Sequence, residues 1–462
     1  MLSVRTFRRL GSGICIVALA ACSDVVTSPP KTRQFSPTMS RVAVATEAGH
    51  VFALNRSVPV DFANRVAGAG GSIVSLMPDI GVVVTTGLSD EDAALIAGKD
   101  AVARDYVARW VPLPGESSAT TDISSEVSAA AAKSPLTAAF LGFQWGMFQI
   151  DAPDAWRATA ASPGTTVRVA ILDSGLDPDH LDQRGLIDVA SSAAFLRPDY
   201  PAHSPAWVDD LFHGTFVGGI VTSNNFGTAG VAPNVQLIAV KVLDSAGAGS
   251  FGNIIAGIYH AANVHAQVIN MSLGALVPKN VPGASTLLSA MNRAVSYAKG
   301  HGSLVVSAAG NDTLDLQHDG NLIEVPCETG AQLCVAATGP GDAHPIYSDW
   351  GTNAINVAAP GGDETAAPLS FVLGLCSSHS VLPMFAGCKN RVSYLFADGT
   401  SASAPHVSGL AAYLDSQAGG ALVVSRMITL IEQSADDIGK PGADPFSGKG
   451  RINVARALGV IP

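Results

Sequence analysis

Four residues of this 462-residue chain have the types and surroundings that a hydrolytic centre requires. Asp173 follows the apolar run Val169-Ala-Ile-Leu and opens Asp173-Ser-Gly-Leu-Asp-Pro-Asp-His. His213 opens His213-Gly-Thr-Phe-Val-Gly-Gly-Ile. Asn311 follows Leu304-Val-Val-Ser-Ala-Ala-Gly. Ser401 lies in Gly399-Thr-Ser-Ala-Ser-Ala-Pro-His-Val-Ser-Gly, at the head of an apolar helical stretch. A serine hydroxyl attacks poorly at its free pKa. It needs an imidazole to take its proton, and a carboxylate to fix the imidazole's tautomer and stabilise the imidazolium. The oxyanion that follows needs donors already in place, such as a side-chain amide and the backbone N–H groups at a helix start. The four residues supply one group for each role. Taken singly, Asp173 reads as well as a strand-end cap and Asn311 as a turn residue; their order and contexts together point to catalysis. No Gly-x-Ser-x-Gly elbow and no His-Glu-x-x-His occurs, which argues against an esterase of that class and a zinc metalloprotease.

Such groups must be held by rigid elements. Short apolar runs at 166–172, 235–242, 268–271, 304–308 and 334–337 alternate with helical stretches such as 252–264 and 287–299, the pattern of a parallel sheet covered on both faces. Ligands of such sheets bind beyond the carboxyl ends of the strands. All four residues pass that filter. His180, His265, His301 and His344 read as packing or surface residues, and Asp177 and Asp179 as loop charges. The preceding 41–111 segment reads as a strand at 42–45, a helix at 60–69, strands at 72–76 and 81–86, a helix capped by Ser89, and a strand at 102–111. That order, β-α-β-β-α-β, is a small ferredoxin-like α+β unit. Residues 113–138, rich in Pro, Ser, Thr and Ala, read as an exposed linker.

The order Asp…His…Ser, with Asp-Ser-Gly, His-Gly-Thr and Gly-Thr-Ser-x-x-x-Pro-His in sequence, resembles the subtilisin-like serine proteases. Gly230-Val-Ala-Pro, Asn270-Met-Ser-Leu-Gly, Ala309-Gly-Asn, Val357-Ala-Ala-Pro-Gly and Gly450-Arg-Ile-Asn fill the intervals. The resemblance implies an α/β, subtilisin-like three-layer fold with a mostly parallel sheet over 139–462, with Asp173, His213 and Ser401 catalytic and Asn311 stabilising the oxyanion. It implies that 41–112 is a propeptide, acting as folding aid and inhibitor, and that 113–138 holds the processing site. Extended substrate would pair with Gly247, Ala248 and Gly249 on one side and Ser272, Leu273 and Gly274 on the other. Ala308, Ala309 and Gly310 with Ser272–Gly274 would line the pocket for the residue preceding the cleaved bond. No cofactor is needed for the chemistry. Structural calcium stays open, with Asp182 at a family ligand position and a shortened loop at 223–230. Ala402-Ser403 replace a common Met-Ala, and Phe216 replaces a frequent His. Residues 362–396 are an insertion that either borders the cleft or forms a plain surface loop.

The N-terminus reads as an export signal. Arg5, Arg8 and Arg9 precede an apolar stretch too short to span a bilayer, ending Leu19-Ala-Ala-Cys22. This resembles a bacterial lipobox, with 1–21 removed, Cys22 lipidated and 22–40 a tether; an ordinary signal peptide is the alternative. The expected location is therefore a bacterial membrane, facing the periplasm or the cell surface. Of six cysteines, four then remain, in the close pairs Cys327/Cys334 and Cys376/Cys388. An oxidising compartment favours two short-loop disulfides, with a four-thiolate zinc site as the rival. Loss of the signal takes the net charge from −11 to −14, which speaks against nucleic acid as a partner. The expected partners are polypeptide substrates, the chain's own propeptide and a membrane reached through the lipid, with the protein otherwise monomeric. A silent surface lipoprotein using the same scaffold for binding is the remaining rival.

Overall fold

A computed structural model describes residues 49–112, 120–121 and 134–462, except Arg56, Pro163, Ala202, Glu364, Ala366 and Ala367. The expected signal, Cys22, the tether, the strand at 42–45 and most of the 113–138 linker lie outside the described residues.

The N-terminal unit runs β1 (Gly49–Ala53), α1 (Phe62–Gly68), β2 (Ser72–Met77), β3 (Val82–Thr86), α2 (Asp90–Ala97) and β4 (Ala101–Arg104). Its sheet is antiparallel in the order β2-β3-β1-β4. One face holds a small core of Phe52, Phe62, Val66, Val83, Ala93 and Ile96, with the Phe52 and Phe62 rings edge-on at 5.2 Å. Ser89 caps α2 by accepting from Asp92 N at 3.0 Å, and Asp90, Glu91 and Asp92 meet the positive end of the helix. The first described strand contains a buried histidine, His50, whose Nε2 lies 2.9 Å from Asp90 Oδ1. That polar residue interrupts the apolar pattern by which a strand is read.

After β5 (Val107–Arg109) and β6 (Thr120–Thr121) the chain enters the large domain. Its elements are α3 (Trp145–Gln149), α4 (Ala152–Thr159), β7 (Val167–Asp173), β8 (Ala193–Ala194), α5 (His213–Val221), β9 (Val235–Lys241), β10 (Ala248–Ser250), α6 (Phe251–Asn263), β11 (Val268–Met271), β12 (Ala275–Pro278), α7 (Ala284–Gly300), β13 (Leu304–Ala308), β14 (Leu322–Val325), β15 (Leu333–Thr338), β16 (Val357–Pro360), β17 (Val372–Leu375), β18 (Tyr394–Ala397), α8 (Thr400–Gln417), α9 (Val424–Gln433) and α10 (Val454–Ala457). Seven strands form one sheet in the order β16-β15-β13-β11-β7-β9-β8, every pair parallel. Strand alternation divides the core in two. Val169 and Ile171 face Phe216, Val407 and Leu410 of α5 and α8. Ala170 and Leu172 face Phe251, Ile254 and Leu287 of α6 and α7. The result is the expected three-layer α/β architecture.

The second face of the N-terminal sheet packs on α6 and α7, where Val51, Met77, Val84 and Ala103 join Ile258, Leu287 and Met291. Asp105 Oδ1 accepts from Gly252 N at 2.8 Å at the head of α6, and Arg293 donates to Leu54 O at 2.7 Å. Both cysteine pairs are disulfides, Cys327–Cys334 and Cys376–Cys388, so the four-thiolate zinc alternative does not hold. The 362–396 insertion contributes the β17–β18 hairpin, and this hairpin packs directly on α5.

Candidate active site

Each expected residue stands at the end of a core strand or the head of a helix. Asp173 ends β7 and is fully buried. Both of its carboxylate oxygens lie 2.9 Å from Nδ1 of His213, the first residue of α5. That contact fixes the proton on Nδ1 and leaves Nε2 as the basic nitrogen. The two loops meet because glycines let them. A methyl group on Gly214 would come within 2.1 Å of Gly175 O, and one on Gly175 within 2.3 Å of Trp207 O, so both the Asp-Ser-Gly and the His-Gly steps need a bare Cα.

Ser401 is the second residue of α8. Its Oγ donates to Ser272 O at 3.0 Å, while Ser272 Oγ donates back to Ser401 O at 2.8 Å. The hydroxyl is therefore turned toward the substrate-edge backbone. Asn311 follows β13. Its Oδ1 accepts from Thr400 N at 2.8 Å and Thr400 Oγ1 at 2.9 Å. With the carbonyl oxygen of the amide anchored this way, the Nδ2 donor is oriented by the same residues that begin the Ser401 helix.

Sequence reasoning missed the supports of this centre. Asp209 is buried and gathers the His213 loop: Oδ1 accepts from Ser174 Oγ, Leu211 N and Phe212 N, and Oδ2 from Thr215 N and Oγ1. Burial pushes its carboxyl up from the ordinary range, against Lys241 and these hydrogen bonds, which pull it down. Ser174, which the sequence marks only as a turn residue, also accepts from Gly214 N at 3.0 Å. Lys241, beside Asp173 in the β7–β9 register, is buried and pairs with Asp210 Oδ1 at 2.6 Å. A buried charge of this kind is tolerated only when paired. Its one sequence signal is a lysine closing the apolar run Leu237–Val240.

The insertion buttresses the same loop. The Phe385 ring meets that of Phe212, the neighbour of His213, at a tilt of 46° with centroids 4.5 Å apart. Ser377 Oγ donates to Asp209 O. Phe216, where the family often has His, packs so closely on the hairpin that a methyl on Gly374 would lie 2.4 Å from its ring. Asp177, Asp179 and His379 come together here. Asp177 already accepts from Asp179 N, His180 N, and Ser378 N and Oγ, so the group ties the insertion to the Asp173 loop.

Asp182, the open calcium candidate, is engaged by the chain itself. Its carboxylate accepts from Phe226 N, Gly227 N, Thr228 N and Tyr394 Oη, at 2.6 to 3.1 Å. Calcium requires a shell of oxygen donors, and four hydrogen-bond donors surround this carboxylate instead. Asp182 therefore does not fit a calcium site; it closes the short 223–230 loop.

The two expected substrate edges are occupied by the chain itself. β5 runs antiparallel along β10, pairing Arg109 with Ala248, Ala108 with Gly249 and Val107 with Ser250. Trp110 N and Val111 N donate to Gly247 O, and Gly274 N donates to Trp110 O at 3.0 Å. The Trp110 indole is 1% exposed, edge-on to Phe251 at 4.9 Å, with Nε1 donating to Gly249 O. Gly247–Gly249 and Gly274 thus hold an extended strand between them. Ser272, Leu273, Ala308, Ala309 and Gly310 lie at the ends of β11 and β13, beside Ser401 and Asn311.

Comparison with known proteins follows this geometry. A family profile described as the subtilase family, Peptidase_S8, matches residues 164–450. Thermitase of Thermoactinomyces vulgaris is 32% identical over 323 residues, 69% of this chain and 97% of that protein. Subtilisin E of Bacillus subtilis is 31% identical over 68% of this chain and 70% of its own length. Among solved structures, a lanthipeptide protease is 27% identical with TM-score 0.60, covering 70% of this chain and 96% of that one. The epidermin leader peptide processing protease of Staphylococcus aureus superposes over 90% of this chain and 99% of its own, with TM-score 0.70; at 22% identity it shows the fold.

Proposed function

The chain belongs to the subtilase family of serine proteases, and we propose that it is the zymogen of an endopeptidase whose triad is Asp173, His213 and Ser401. The observation that carries this reading is the Asp173–His213 contact at 2.9 Å, with His213 and Ser401 opening two helices, α5 and α8, that pack on one another. Ser401 attacks the scissile carbonyl and passes its proton to His213 Nε2; Asp173 holds the imidazolium. Asn311 Nδ2 and the N–H groups at the start of α8 take the oxyanion, and collapse of the tetrahedral intermediate gives an acyl-enzyme that water hydrolyses. The chemistry needs no cofactor.

Residues 41–112 act as propeptide and inhibitor. What supports this is the seating of Val107–Val111 on both substrate edges, which leaves no room there for another polypeptide. Self-cleavage in the 113–138 linker separates this unit from the protease. The N-terminal Leu-Ala-Ala-Cys22 supports export from a bacterium and lipidation at Cys22. The anchor then stays with the propeptide, and the monomeric catalytic domain is released from the membrane.

Two variants test this. Ser401→Ala should yield unprocessed, inactive chain, and processed chain with inhibitor-sensitive peptidase activity would refute the triad. Cys22→Ala should move the N-terminal unit from the membrane fraction to the soluble one, while the processed catalytic domain is soluble in both. A catalytic domain that stays in the membrane after cleavage, with no propeptide bound to it, contradicts the release.

A further inference from the structure

Resting on the active-site reading above, we infer that β18 binds the part of a polypeptide substrate that follows the scissile bond, taking it up as an added antiparallel strand. Substrates then gain when they stay extended for about six to eight residues beyond that bond. The seat is already taken by the chain's own linker. Thr120–Thr121, β6, runs antiparallel to β18, with Thr120 opposite Leu395 and Thr121 opposite Tyr394. It is the third strand of the small sheet β17-β18-β6. With β17 on its other side, β18 has this one edge to offer a further strand.

The two seated segments have the polarity of one substrate crossing the centre. Val107–Val111 runs along β10 from Ser250 toward Gly247 and meets Gly274 through Trp110 O. Gly274 is two residues from Ser272, whose carbonyl takes the Ser401 hydroxyl. Two further residues at that register bring the backbone level with Ser401. β18 in turn leads directly into Gly399 and the helix of Ser401. From Thr120 to Thr121 the linker passes Leu395 and then Tyr394, moving away from the serine. One segment arrives and the other departs. The lengths agree: Leu395 is six residues from Ser401, at most about 22 Å, and the stretch from Pro112 to Thr120 reaches about 26 Å when extended.

The insertion holds this edge rigid. Cys376–Cys388 closes it, Gly374 of β17 lies directly against the Phe216 ring of α5, and Tyr394 Oη donates to Asp182. Tyr394 and Leu395 are buried, so what β18 offers along the edge is its main chain, and the feature it recognises is an extended strand. A two-residue pairing is a weak hold. Once the linker is cut, it yields the edge to a longer substrate strand. Proline, which has no N–H to give, breaks such a pairing.

The test uses the processed enzyme and internally quenched peptides with one fixed sequence before the cleaved bond and about two to ten residues after it. As the second half passes about six residues, kcat/KM should rise about tenfold, mostly through KM, from two or three added main-chain hydrogen bonds. N-methylation of one alternate set of amides in that half should remove the gain, because alternate residues turn their N–H groups toward the partner strand. Thr120→Pro with Thr121→Pro, which clears the chain's own arm from the edge, should keep the gain or enlarge it. In that variant a peptide of the sequence 113–125 should slow amide exchange at Tyr394–Ala397. Should the variant not process, the wild-type series decides alone. Equal kcat/KM at every length, a gain that both N-methylated sets retain, or a gain without protection of Tyr394–Ala397 overturns the inference while cleavage of the short peptides upholds the protease reading. Cleavage at no length, with Ser401 unlabelled by a fluorophosphonate, would overturn that reading and this inference with it.

Discussion

At the scale of single residues, the centre depends on groups whose orientation is settled before substrate arrives. Asn311 is the clearest case, because Thr400 pins its Oδ1 from two directions. Removing the amide leaves the triad in place and deletes one oxyanion donor. Asn311→Ala should therefore lower kcat on the order of 100- to 1000-fold with little change in KM, the range known from removing such a donor in subtilisin; steady-state kinetics on a single peptide would show it. The four principal residues were legible in the sequence because each role demands one residue type in a short, distinctive context. Asp209, Lys241 and Ser174 were not. Supporting residues act by hydrogen bonds to backbone groups that are close only in the folded chain, and nothing in local spacing marks them. For Asp182 the sequence left calcium open. A carboxylate at a family ligand position looks like a metal ligand until the 223–230 loop folds its N–H groups around it.

At the scale of elements, the parallel strands were readable because strands buried on both faces are continuously apolar. β1 was hidden by His50, and β16 by its proline and lack of length. The sequence left the insertion open between a border of the cleft and a plain surface loop, because its role comes from tertiary packing of Phe385 and Gly374 against Phe212 and Phe216. Its Cys376–Cys388 bridge belongs to the same buried cluster as Phe212 and Phe385. Replacing both cysteines by serine should cost roughly 2–4 kcal/mol of stability, measurable by thermal unfolding in the Ser401→Ala background, and should lower kcat by loosening the seat of His213. Within α8, burial holds His406 down at about 4 against the hydrogen bond to Ala402 O, which raises it. The unfolded chain takes up that proton near the ordinary histidine value, about 6.5, and the folded chain does not. Stability is then full above about pH 6.5 and falls as pH is lowered toward 4. Thermal unfolding of Ser401→Ala across this range should show the decline, and replacing His406 with Gln should flatten it.

At the scale of the whole molecule, the N-terminal unit is joined to the protease in two ways: a sheet face on α6 and α7, and the Val107–Val111 strand in the cleft. Trp110 is the largest single contribution to the second, fully buried against Phe251. Trp110→Ala should cost about 3–5 kcal/mol of docking and weaken inhibition of the processed enzyme by more than about a hundredfold, read from residual peptidase activity before the N-terminal unit is degraded. The low charged fraction, 14%, reflects one buried sheet with its chemistry confined to the strand ends. The measurement that bears most directly on the account is intact-mass and peptide mapping of the processed protein after reaction with a fluorophosphonate, alongside its peptidase activity. A single adduct on Ser401, formed in step with loss of activity and absent in Ser401→Ala, is the predicted result. An adduct on another residue, or full peptidase activity with Ser401 replaced, would contradict it.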